Sequence, residues 1–97
     1  MVIAAARGGA DFSHFVTFRI ERGCVKERQE VPVMPGGVDP LVRQLIGLEV
    51  DMLIAAALHP ELRIALDESG VGAIENIGFE PDQAVAAYLA GELFGNP

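Results

Sequence analysis

Val2-Ile3-Ala4-Ala5-Ala6 is an unbroken apolar run that stops at Arg7-Gly8-Gly9, and Phe15-Val16-Thr17-Phe18-Arg19-Ile20 is an alternating run that turns over at Glu21-Arg22-Gly23. The first reads as a strand buried on both faces, because no polar residue interrupts it. The second reads as a strand with Phe18 and Ile20 on one side and Thr17 and Arg19 on the other. A third run, residues 24–31, sets Val25, Glu27, Gln29 and Val31 against Lys26, Arg28 and Glu30. Gly23, in a short polar turn between the second and third runs, predicts a hairpin. The heavy charge of the third run predicts an edge strand, since charge there discourages pairing with another chain.

Downstream of the hairpin the rhythm changes. Asp39-Pro40, His59-Pro60 and Glu80-Pro81 mark three helix starts, because proline suits the first helical position, where its missing N–H costs nothing. Asp39 is the expected N-cap of the first helix, which places Leu41, Val42, Leu45 and Ile46 on one face. The second uses Leu62, Ala65 and Leu66 and closes at Gly70 in a left-handed C-terminal cap. The third uses Ala84, Val85, Tyr88 and Leu89. Two further strands, Asp51–Ala56 and Val71–Glu75, fall between the helices. The order β-β-β-α-β-α-β-α predicts an α/β fold, with the first, fourth and fifth strands parallel and joined by right-handed crossovers.

The 97 residues make one domain, with no internal repeat or linker. Net charge is −7, and beyond Arg43 the only basic residue is Arg63, against nine acids. Such a half repels phosphate backbones, so nucleic acid is not an expected partner. No apolar run approaches the roughly 20 residues that span a bilayer, and no basic region precedes a long apolar run, so neither a membrane span nor a signal peptide is expected. One cysteine permits no internal disulfide and fits a reducing cytoplasm.

Several strings resemble the dinitrogenase iron–molybdenum cofactor family, small carriers of the nitrogenase cofactor and its precursors. They are Met1 to Ala6, Ser13-His14-Phe15, Val50-Asp51-Met52-Leu53-Ile54-Ala55, Leu66-Asp67-Glu68-Ser69-Gly70-Val71 and the segment from Ala84 to Leu93. The resemblance runs nearly end to end. It implies a ribonuclease H-like three-layer fold whose mixed five-stranded sheet has the order 3-2-1-4-5. It implies a cytoplasmic, nitrogen-fixation accessory role as a non-catalytic carrier of an iron–sulfur or iron–molybdenum cluster, with a recipient protein as partner. The chain departs from the family at two places. Val16 follows His14-Phe15 where the family writes glycine, and Ala55-Ala56-Ala57-Leu58-His59 stands where it has a glycine-rich loop. Glycines let backbone N–H groups approach a bulky anion, so the alternative is a protein–protein or small-anion binding module that kept the fold and lost the cluster.

In the order 3-2-1-4-5 the exits of the first and fourth strands flank the switch point where open α/β sheets bind ligands. His14, Phe15, Arg7, Gly8, Gly9 and His59 fall at that edge and form the candidate binding set, with His14 as the metal ligand. Helix N-termini gather there too and favour an anion. Each residue also has a plainer role: His14 as a loop residue bonding the backbone, His59 as the residue before a helix-initiating proline, Arg7 as a solvated strand end. Cys24 lies more than about 20 Å from His14 along the strand and is expected to be inert and partly buried. No Cys-x-x-Cys, His-Glu-x-x-His, Walker-type or GxSxG spacing occurs, so no catalytic or structural zinc site is expected.

Overall fold

The computed structural model describes residues 1–6, 13–75 and 81–90. Its centre is β1 (Val2–Ala6), which lies between β2 (His14–Glu21) and β4 (Met52–Ala55). With β3 (Cys24–Pro32) outside β2 and β5 (Gly72–Glu75) outside β4, the sheet order is β3-β2-β1-β4-β5. The pairs β1–β4 and β4–β5 are parallel, whereas β1–β2 and β2–β3 are antiparallel. The expected topology is therefore the observed one.

An all-apolar β1 is needed because both faces of the sheet are covered. Ala4 and Ala6 pack with Phe15, Leu53 and the helices α1 (Val38–Gly47) and α2 (Pro60–Glu68). Ile3 and Ala5 pack with Val16, Phe18, Ile54 and Ile74 against α3 (Pro81–Leu89). Three layers result, with two helices on one face and one on the other. No helix among the described residues is long and apolar enough to cross a membrane.

The hairpin turn is a two-residue loop with Arg22 at φ 54° and Gly23 at φ 74°. Positive φ at both positions is what a right-twisted hairpin requires. The charged strand β3 does occupy an edge, but its alternation is broken. Arg19 pairs with Glu27 while Ile20 pairs with Val25, so Lys26 is an extra residue in a bulge. A one-residue slip exchanges the faces. Val25 therefore lies with Arg28 and Glu30 on the α3 side, while Glu27, Gln29 and Val31 lie on the α1 side.

Other expectations need correction. Helix α1 begins at Val38 and its N-cap is Gly37, at φ 96°, with no side-chain cap. Asp39 sits one step inside, because the left-handed Gly36 and Gly37 turn the chain before it arrives. Ile46 falls at the border of the buried stripe and is 51% exposed, and Leu89 is exposed as well. Cys24 is exposed at the hairpin tip. Strands β4 and β5 are shorter than expected by two residues and by one.

Candidate functional site

The parallel strands β1, β3 and β4 end at one rim of the sheet, where β2 begins. Ala6 pairs there with Phe15, and His14 with Pro32. The Ser13 carbonyl accepts the Val33 N–H at 2.9 Å, which pins the approach to β2 against the exit of β3. His14 is exposed, and its Nδ1 lies 3.0 Å from Ser13 Oγ. Its Nε2 is then the nitrogen left for a ligand.

Strand alternation decides which layer each side chain enters. His14 shares its face with Val16 and Phe18, the α3 side, and lines a cleft of about 130 Å³ with Ser13, Val16 and Glu30. Phe15 points the other way and is wholly buried beneath α1 and α2. His59 is exposed and is the N-cap of α2, in extended conformation (φ −63°, ψ 142°) with Pro60 after it. Its carbonyl accepts the Arg63 N–H at 3.0 Å, and its side chain makes no capping bond. The two imidazoles thus share a rim but belong to opposite layers. Arg7, Gly8 and Gly9 lie outside the described residues. Cys24 pairs with Glu21 at the opposite end of β2, seven residues and roughly 23 Å from His14.

Among the described residues no group of three or more His, Cys, Asp or Glu side chains is arranged to hold a metal ion. The helix ends also differ electrostatically from expectation. Asp39, Glu61 and Asp82 occupy the first turns of α1, α2 and α3. A carboxylate at that position offsets the positive end of the helix dipole, so part of the attraction for an anion is already met within the chain. Between the start of α1 and the length of α2 lies a cleft of about 480 Å³ that is also acidic, lined by Asp39 and Glu61 from the first turns and by Glu68 at the end of α2.

One polar feature of the His14 face escaped the sequence reading. Arg28 on β3 makes a two-pronged pair with Asp82 in the first turn of α3, Nε to Oδ1 at 2.9 Å and Nη2 to Oδ2 at 3.1 Å. Its guanidinium also lies 5.8 Å from the centre of the Phe18 ring, within cation–π range. The hydrogen bond to Asp82 raises the Arg28 pKa above its ordinary value against the opposing effect of desolvation, and the charges of Asp82 and Glu30 add smaller raising effects. The cleft beside His14 is therefore walled by Glu30, while the Arg28–Asp82 pair lies on the same face farther along β3, opposite Phe18.

The fold is a three-layer α/β domain with a mixed sheet of order 3-2-1-4-5. No family model and no curated protein matches the chain. Solved structures do match it over almost its whole length. The crystal structure of PH0822 superposes with a TM-score of 0.84 at 18% identity, over 99% of this chain and 96% of that one. A protein of Methanocaldococcus jannaschii provisionally named a dinitrogenase gives 0.79 at 16% identity, covering 99% and 94%. A provisional NifB protein of Thermotoga, assigned to the DUF35 family, gives 0.72 at 22% identity, covering 97% and 91%. At these identities the likeness establishes the shared fold.

Proposed function

We propose that this protein is a non-catalytic carrier that holds an iron–sulfur or iron–molybdenum type cofactor, or its precursor, and passes it to a recipient protein. The observation carrying this reading is the exposed His14 at the rim where β1 and β4 end, in a fold shared nearly end to end with proteins provisionally named as a dinitrogenase and a NifB protein. The cluster is cargo in this reading, not a resident group. A single imidazole with Nδ1 turned to Ser13 Oγ offers one point of attachment through Nε2. One such bond suits loading and release better than a closed cage of thiolates, whose metal is held as part of the fold.

A second reading is favoured by the carboxylates in all three helix first turns. They temper the rim's attraction for a strongly anionic cluster and suit a binding module for a protein or a smaller ligand. One experiment separates the two. The purified protein is incubated anaerobically with isolated cofactor, or with iron and sulfide, and passed through a desalting column. Metal that co-elutes with the wild type but not with His14→Ala supports the carrier. Metal retained equally by both, or by neither, supports the module.

A further inference from the structure

We infer that the outer edge of β5 pairs with β5 of a second copy of this chain, joining two sheets into one. The two edges of the sheet are built differently. Edge strand β3 carries Lys26, Glu27, Arg28 and Glu30 and is bulged, the devices that keep an edge from pairing. Strand β5 reads Gly72-Ala73-Ile74-Glu75, with one charge, at its end, and no proline or bulge. Among the described residues its only sheet neighbour is β4.

Backbone direction and charge supply the register. The Gly72 N–H donates inward to the Asp51 carbonyl at 2.9 Å, so by alternation the N–H and C=O of Ala73 point outward. An antiparallel partner related by a two-fold axis would place Ala73 opposite its own copy, exchanging both bonds. Helix α2 flanks this edge across a cleft of about 400 Å³, and the cleft is lined by Arg63 and Asp67 beside Ala73. These two residues lie one turn apart with opposite charge; Arg63 pairs through Nη1 with Glu75 of its own chain, which neutralises the one charge of β5 and leaves the guanidinium's other N–H donors for a second carboxylate. Two α2 helices brought together antiparallel by the same axis set Arg63 of each copy toward Asp67 of the other. The arrangement is self-complementary, as an isologous interface must be. Ile64, 59% exposed between them, sits at the centre of the contact. A second copy is thus met by matching backbone, charge and apolar surface, whereas an unrelated strand is matched by the backbone alone.

The test is molar mass by sedimentation velocity and light scattering across about two decades of protein concentration, where mass action reveals a dimer. The expected result is a rise from 10.3 kDa toward twice that value. Asp67→Arg sets like charges across the axis and is expected to keep the protein monomeric. Ala73→Pro removes an outward N–H and none that β4 uses, a substitution edge strands accept, and is expected to do the same. Circular dichroism of each variant verifies the fold. A wild type that stays at monomer mass throughout overturns the inference, as does a dimer that survives both substitutions. Neither result depends on whether His14 holds a cofactor.

Discussion

The Asp51 carboxylate accepts the Val2 backbone N–H at 2.8 Å, while the Asp51 N–H donates to the Val2 carbonyl, also at 2.8 Å. The Asp51 carbonyl in turn accepts the Gly72 N–H at 2.9 Å. One residue therefore aligns the starts of β1, β4 and β5, at the rim opposite His14. Asp51→Leu is expected to lower stability by about 1–2 kcal/mol, the scale of a hydrogen bond to a charged acceptor in a partly solvated place. Urea unfolding measures it. Cofactor retention, if His14 carries it, is expected to stay at the wild-type level in this variant.

Helices α1 and α2 end in the same way with different residues. In α2 the Val71 N–H donates to the Leu66 carbonyl at 2.9 Å and the left-handed residue is Gly70. In α1 the Val50 N–H donates to the Leu45 carbonyl at 3.0 Å, and the left-handed residue is Glu49, at φ 59°. Both pairs, Val71–Leu66 and Val50–Leu45, are buried, which completes the Schellman motif. A side chain is disfavoured at positive φ by steric contact of its Cβ. Glu49→Gly is expected to raise stability by roughly 0.5–1 kcal/mol and Gly70→Ala to lower it by about 1 kcal/mol. Thermal midpoints moving in opposite directions would verify the pair.

Much of this architecture was legible because it is written in local pattern. The run Val2 to Ala6 shows a strand covered on both faces, and Gly70 shows a helix stop. The bulge at Lys26 was not legible, because an alternating charged strand reads the same in either register and only its partner fixes the face. The start of α1 was displaced because Gly36 and Gly37 act through φ, which composition alone does not reveal. At the candidate site, position along the rim could be read from topology. The opposite layers of His14 and His59 follow only once β2 alternation and helix placement are known together. The pairing of Arg28 with Asp82 joins residues 54 apart, and neither has a local signature.

That pair makes a salt-dependent prediction. Arg28 and Asp82 are 42% and 59% exposed, so their attraction is screened by solvent and ions. A double-mutant cycle with Arg28→Met and Asp82→Asn is expected to show favourable coupling at low ionic strength that shrinks as salt is added. Coupling indifferent to salt would mean that the two hydrogen bonds and not the screened charges join the pair, and no coupling at all would leave Arg28 acting through its contact with Phe18.

The passage from β3 into α1 rests on Gln44. Its Oε1 accepts the Met34 N–H at 2.9 Å, and its Nε2 donates to the Pro32 carbonyl at 2.8 Å. The carbonyl of the last β3 residue and an N–H of the connection that follows are thereby satisfied by one amide. Gln44→Leu keeps the volume and removes both bonds, and is expected to cost about 1–2 kcal/mol. Hydrogen exchange at the Met34 amide is expected to accelerate more than the global loss of stability explains.

His14 and Phe15 are neighbours in sequence and separate in consequence. Phe15 is wholly buried under α1 and α2, so Phe15→Ala is expected to cost about 3–5 kcal/mol through lost burial and a residual cavity. His14 is exposed, and His14→Ala is expected to change stability by less than about 0.5 kcal/mol. A loss of metal retention in Phe15→Ala would therefore report on folding, and only the His14 variant reports on ligation. If His14→Ala instead unfolds at markedly lower urea, the imidazole is a structural element of the Ser13 turn, and its place in the carrier reading falls.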